Sequence, residues 1–378
     1  MINAGSQFYD RYAALTKDVT PFIRASGQQR VIESAQNWTQ GFHLSRMDDE
    51  TSTIPERYPY DILIVPESPD FNNTLDFTLC TNFLNGDYGI AAQTAFAKTF
   101  IPSITSRLNQ NLKGANLTDI DTVFLMDLCP FSTVAHPTGQ ITPFCNLFSE
   151  DEWQDYDYYQ TVGKHYGFSW PNPLGPTQGV GFVNELIARV TGKAVEDHTS
   201  TNRTMDSSNA TFPIYEGGKG VYADFSHDND MMTIFAALGL FNSTQIHLPT
   251  THRLSRSDPA LAGYSAAYSV PFAARMFVEK MECREMPEKE LVRIIVNDRV
   301  IPLVGCGADD FGRCELGKWV ESLEFARSGG KWDKCFGDEK GKVADGSGGL
   351  IQADGTDHAE DVKQEAKAKH NGKIEGPL

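Results

Sequence analysis

Apolar positions between Phe8 and Asp18 recur at helical spacing, so the chain opens on a helix. Pro21-Phe-Ile-Arg-Ala-Ser-Gly27 reads as a short strand closed by a turn, and the segment from Gln28 to Leu44 reads as a helix. Tyr60 to Val65 is a strand stopped by Pro66. From about Phe71 to about Gln178 helices and loops dominate, with Trp153, Tyr156, Tyr158, Tyr159 and Tyr166 among many aromatics; that block reads as a helical insertion. Val183 to Val190 is a helix, Val221 to Phe225 a short strand, Met231 to Phe241 an apolar helix, and Arg293 to Asn297 a strand in a second α/β stretch. After Phe336 the chain turns to Gly, Lys, Asp, Glu and Ala with almost no large apolar residue, the composition of a disordered tail.

Composition supports a folded core: hydrophobic residues make up 40% of the 378 and aromatics 11%. A net charge of −17 argues against a nucleic-acid or anionic-membrane partner, and no apolar run approaches transmembrane length. A polyanionic substrate would need a local basic pocket to offset that shell. The seven cysteines include no Cys-x-x-Cys pair, so a metal site is not expected. Cys129 with Cys145 and Cys306 with Cys314 look like short disulfide loops. Six Asn-x-Ser/Thr sequons, at Asn37, Asn72, Asn116, Asn202, Asn209 and Asn242, join the cysteines in favouring a secretory origin, although the first residues show no signal peptide.

Ser226-His227-Asp228 is the stretch with the most chemistry. It falls where the strand ending at Phe225 gives way to a helix, and ligands of open α/β sheets bind at strand carboxyl ends while helix N-termini favour anions. A cation-capable histidine beside a carboxylic acid suits phosphate-ester cleavage, where one group holds phosphate and the other protonates the leaving oxygen. The same pair also reads as a helix cap, with Asp228 capping and His227 in a surface turn. Arg24 offers a planar fork for phosphate, although residue type alone favours a surface ion pair; Arg30 reads as structural. Gly263-Tyr-Ser265-Ala-Ala is a near miss to the serine-hydrolase elbow. Gln178-Gly-Val-Gly181 lacks the third glycine of a dinucleotide site, and Glu150 to Asp155 reads as a solvated helix face.

Many ordered matches carry a family resemblance: Pro21 to Gly27 with Arg30-Val-Ile, Pro66-Glu-Ser with Phe71-Asn-Asn-Thr-Leu75, Asn172-Pro-Leu-Gly-Pro176, Asn184 to Arg189, Asp197-His-Thr-Ser-Thr-Asn202, Tyr222 to Asn229, Ala236 to Leu240, Asn297-Asp-Arg-Val300 and Ala326 to Gly330. From about residue 1 to about 336 the chain resembles fungal phytases of the histidine acid phosphatase family. The resemblance implies an acid phosphomonoesterase on phytate, a small-molecule phosphate ester, working through a phosphohistidine, with no cofactor, no metal and no protein partner. It assigns Asp228 as general acid, His227 and Arg24 as phosphate ligands, and the pairs Cys80–Cys335, Cys129–Cys145 and Cys306–Cys314. The family's Arg-His-Gly-x-Arg-x-Pro nucleophile motif does not occur: no histidine of the chain follows an arginine. The resemblance places that motif, a signal peptide and a partner for Cys283 ahead of residue 1, so the chain is expected to lack the family's first part, as a misplaced start codon would leave it.

The fold expected is α/β, a histidine-phosphatase (phosphoglycerate-mutase-like) sheet flanked by helices with a helical cap subdomain. Its boundaries are 1–69 with 181–336 for the discontinuous α/β domain, 70–180 for the cap and 337–378 for the tail. Without the family's first strand, sheet edges and apolar surface should be exposed. The protein is expected to be secreted. Two other functions stay open: a non-catalytic phosphate-ester-binding pseudoenzyme, and a serine hydrolase using Ser265.

Overall fold

The structure is a computed structural model that describes residues 1–47, 59–68, 71, 73–199, 212–218, 220–241, 247–261, 263–284 and 286–337. The tail and the sequons at Asn72, Asn202, Asn209 and Asn242 lie outside the described residues. In chain order the elements are α1 (Ile2–Thr16), β1 (Phe22–Ser26), α2 (Gln29–Met47), β2 (Leu63–Val65), α3 (Thr81–Leu84), α4 (Tyr88–Asn111), α5 (Asp119–Ala135), α6 (Glu150–Phe168), α7 (Gly175–Gln178), α8 (Val180–Thr191), β3 (Tyr222–Phe225), α9 (Asp228–Ala237), α10 (Ala266–Ser269), β4 (Met276–Cys283), β5 (Met286–Val296), β6 (Arg299–Ile301), β7 (Cys314–Glu315), α11 (Leu316–Ser322) and α12 (Glu324–Arg327). The apolar helix expected to reach Phe241 stops at Ala237, because Gly239 and Phe241 take φ of 71° and 56°, outside the helical region.

Two compact units emerge. One gathers 1–85, 164–248 and 255–337; the other gathers 86–163 with 249–254. The helical unit holds α4, α5 and most of α6. Its α5 starts on a capping box: Thr118 accepts from the Asp121 N–H while the Asp121 carboxylate accepts from the Thr118 N–H. Phe96, Phe100, Ile104, Leu108, Val123, Met126, Tyr158 and Tyr159 are buried in it, and Cys129–Cys145 closes its loop after α5.

The larger unit contains a parallel sheet of order β2-β1-β3. One face of β1, Ile23 and Ala25, packs with Val31, Ala35, Trp38 and Phe42 of α2 and Ala4 of α1. The two helices approach so closely that a Cβ on Gly5 would overlap the Trp38 carbonyl, and one on Gly41 the Ile2 carbonyl. The other face of β1 presents Arg24 and Ser26, both buried, toward α8. Helices therefore cover both faces, as a parallel sheet requires. A second, antiparallel sheet of β4, β5, β6 and β7 completes the unit; Asn297 and Asp298, both at positive φ, make the tight turn from β5 to β6. Cys80–Cys335 and Cys306–Cys314 are bridged, and Cys283 is unbridged with Arg313 Nη1 3.4 Å from its sulfur.

Gly179 explains the Gln178-Gly-Val-Gly181 stretch. It joins α7 to α8, and a Cβ there would overlap the Thr233 carbonyl of α9, so the glycine serves backbone-to-backbone packing rather than a nucleotide.

Arg24 is fully buried and spans the elements. Its Nε donates to Asp224 Oδ1 (2.6 Å) on β3 and its Nη2 to Glu185 Oε2 (2.7 Å) on α8. Arg189 of α8 grips the same Asp224, and Thr74 Oγ1 donates to Glu185 Oε2 at 2.8 Å. The Phe212 ring lies against both guanidinium groups, 5.1 Å from that of Arg24 and 4.8 Å from that of Arg189. Replacing Arg24 with Met leaves Glu185 without its cation in a dry site. We expect Arg24→Met to cost about 3–5 kcal/mol in urea unfolding; a loss under about 1 kcal/mol would show that Arg189 alone neutralises the cluster.

Candidate active site

The three parallel strands end together, and the chain just past each end carries a polar side chain. Ser26 closes β1, Glu67 lies two residues past β2, and His227 lies two past β3. Ser26 Oγ donates to Glu67 Oε1 at 2.6 Å, and His227 Nε2 meets the same oxygen at 2.9 Å. Ser226 Oγ donates to the Leu75 carbonyl at 2.6 Å, tying the β3 end to the 73–78 loop. Gly27 allows this convergence: a Cβ there would sit 3.1 Å from the Glu67 nitrogen.

His227 occupies the N-cap position of α9, but its side chain makes no cap bond and turns to Glu67. Asp228 is the first helical residue rather than the cap, which corrects the simpler of the two readings of the pair. Its carboxylate sits where the helix dipole favours negative charge. Lys164, in the last turns of α6, binds Asp228 Oδ2 closely and Asn229 Oδ1 at 2.5 Å. Burial pushes the Asp228 carboxyl up, but the Lys164 ammonium outweighs it and holds the group below the usual carboxylate range. Asp228 remains 51% exposed at its side chain, whereas His227 is buried and Arg24 is fully buried.

Arg24 therefore stands behind the strand ends, paired across the sheet with Asp224, three residues before His227. Its register and its face, shared with Ser26, put it on the side of the sheet that leads through Glu67 to His227. Its guanidinium is engaged by carboxylates on two sides. Ser265 is 4% exposed and accepts from the Tyr268 N–H as the N-cap of α10, so its hydroxyl serves a cap.

Sequence reading passed over four residues here: Glu67, Asp76, Lys164 and Asp230. Glu67 stands in the Pro66-Glu-Ser segment at a predicted strand end, which was the available signal. Asp230 lies two residues after Asp228 and is buried; its Oδ2 has no hydrogen-bond partner among the described residues. Burial, then the charges of Asp76, Glu67 and Asp228, push its carboxyl well above the usual range. Burial also raises Asp76 to about 6, against the hydrogen bond that Thr78 Oγ1 donates to it. Among the described residues no group of three or more His, Cys, Asp or Glu side chains is placed to hold a metal ion. No described helix is long and apolar enough to cross a membrane.

The model of the histidine phosphatase superfamily (branch 2) matches residues 1–297. The chain belongs to that superfamily. Phytase A of Aspergillus oryzae is 48% identical over 339 residues, covering 89% of this chain and 71% of that protein. Phytase A of Aspergillus fumigatus matches to the same extent. The crystal structure of the phytase from D. castellii shares the fold, with a TM-score of 0.63 at 21% identity, covering 86% of this chain and 62% of that one. The chain thus spans about seven tenths of the length of its curated phosphatase relatives.

Two consequences of these electrostatics are measurable. Asp76 has a folded pKa near 6 against an ordinary 3.8, so its contribution favours the folded state below about pH 4 and is lost as pH rises toward 6. Asp76→Asn should flatten the stability-versus-pH curve across that window, by up to about 3 kcal/mol at neutral pH; parallel curves for both proteins would place the proton elsewhere. Lys164→Gln should raise the Asp228 carboxyl toward its ordinary range, as read by carbon NMR titration of labelled aspartate. An unmoved titration would assign the depression to the helix N-terminus instead.

Proposed function

We propose that this chain belongs to an acid phosphomonoesterase that acts on phytate, myo-inositol hexakisphosphate, by way of a phosphohistidine. The observation that carries the reading is the His227-Asp228 pair at the end of β3 and the start of α9, in a chain 48% identical to Phytase A proteins. Asp228 gives its proton to the leaving inositol oxygen as the P–O bond breaks, then takes one from the water that attacks the phosphohistidine. His227 holds a phosphate oxygen. Arg24 supplies positive charge from behind the strand ends; to reach a phosphate oxygen directly it must release Asp224 or Glu185. Lys164, already at Asp228, is the nearest exchangeable cation for an arriving phosphate. Three disulfides suit a secreted protein.

None of the nine histidines follows an arginine, so the attacking histidine of the family's motif is not among these residues. That observation favours, as a second reading, a chain that binds phosphate esters without turning them over.

The 378 residues alone should release little or no phosphate from phytate at acidic pH. A protein that joins them to an Arg-His-Gly-x-Arg-x-Pro segment should be active, and Asp228→Asn within it should slow esters with poor leaving groups by about 10²–10⁴-fold. Calorimetric binding of phytate without turnover by the joined protein would support the binder. Turnover by the short chain that is lost in His227→Ala would defeat the phosphohistidine assignment.

A further inference from the structure

We propose that Glu67 is the positioning residue that fixes the ring of His227, and that Asn73 and Ser26 set the direction of its hydrogen bonds. The inference rests on the reading of His227 as a phosphate ligand.

The direction follows from donors and acceptors. Asn73 is 2% exposed; its Oδ1 accepts from the Leu75 N–H at 2.8 Å, so its amide nitrogen faces the other way, toward Ser26 Oγ at 3.1 Å and the Val65 carbonyl at 3.5 Å. Ser26 Oγ thereby accepts from Asn73 and has one proton left to donate, which goes to Glu67 Oε1. That oxygen is an acceptor, and the His227 Nε2 at 2.9 Å from it is a donor. The ring is held with a proton on Nε2, which leaves Nδ1 as the nitrogen that must take a second proton before the ring can donate to a phosphate oxygen. Ser26, Asn73 and His227 are buried and the Glu67 side chain is 8% exposed, so water does not compete strongly for these bonds. The members come from the ends of all three parallel strands and from the loop after β2, so the relay also records whether the strand ends are in register. Asp76 and Asp230 lie near enough to Glu67 to feel its charge, but the bond to the ring is made by Glu67.

The test uses the full 378-residue chain with nitrogen-labelled histidine. The ring nitrogens of His227, assigned with His227→Ala, report the tautomer by NMR, and calorimetry reports inorganic phosphate affinity. The wild type should show the Nε2–H tautomer. Glu67→Ala should mix the tautomers and weaken phosphate roughly tenfold. Glu67→Gln, whose amide oxygen can still accept, should keep the tautomer and lose about threefold or less. Should Glu67→Ala fail to fold, Ser26→Ala is read in its place and must move the ring signals in the same direction. An unchanged tautomer in Glu67→Ala, or in Ser26→Ala where that is the readable variant, overturns the proposal. If His227→Ala leaves phosphate binding unchanged, or the wild type binds none, the phosphate-ligand reading fails, and the tautomer alone still decides whether Glu67 positions the ring.

Discussion

The buried pairing of Arg24 with Asp224 is the constraint on which the sheet depends. β1 and β3 are parallel neighbours, and a parallel pair has no hairpin to set its register. Arg24 opposite Asp224, with Arg189 and Glu185 completing two cations against two carboxylates, supplies that setting from side chains. A slip of one residue would turn Arg24 to the apolar face beside Trp38 and Phe42 and leave Glu185 without its cation. Apolar residues of equal volume would hold the layers together about as well, because desolvating four charges offsets much of their attraction. The charges contribute specificity: one register, and hence one alignment of the strand ends that carry Ser26, Glu67 and His227.

Beyond those ends the balance reverses. Glu67, Asp76, Asp228 and Asp230 crowd around one imidazole and one ammonium, and the chain as a whole carries −17. The repulsion is relieved by keeping protons: burial raises Asp76 and Asp230, while Asp228 is lowered because Lys164 stands beside it. Such a site tolerates acid better than neutral solution. On the proposed reading, a polyanionic substrate would find its local basic character here. It does not come from a basic surface but from single cations placed against carboxylates that can give them up.

Local signals were strong enough to reveal the strand at Phe22–Ser26, the helix after it, and the junction at His227, since hydrophobic period and turn residues act over a few positions. The boundaries moved by a few residues, as at the amino end of α8, which Gly179 joins directly to α7. The antiparallel pairing of β4 with β5 and the order β2-β1-β3 were not legible, because pairing is settled by contacts between distant segments. The same holds for the site. His227 and Asp228 stand out because they are adjacent at a strand-to-helix junction. Lys164 looks like any surface lysine on a helix, and its closeness to Asp228 arises only when α6 meets the start of α9. Glu67 is one glutamate after a proline until β2 lies next to β1.

The contact between Lys164 and Asp228 bears on how an acid catalyst keeps its proton. A carboxyl held below its usual range gives up its proton more readily, which works against protonating a leaving alcohol. On the proposed reading the substrate itself corrects this. A phosphate arriving at the strand ends competes for the Lys164 ammonium and adds negative charge beside Asp228, and both changes raise the carboxyl. Burial then acts in the same direction. The acid would be armed only when a phosphate is present, and the free site would rest as a closed ion pair between Lys164 and Asp228.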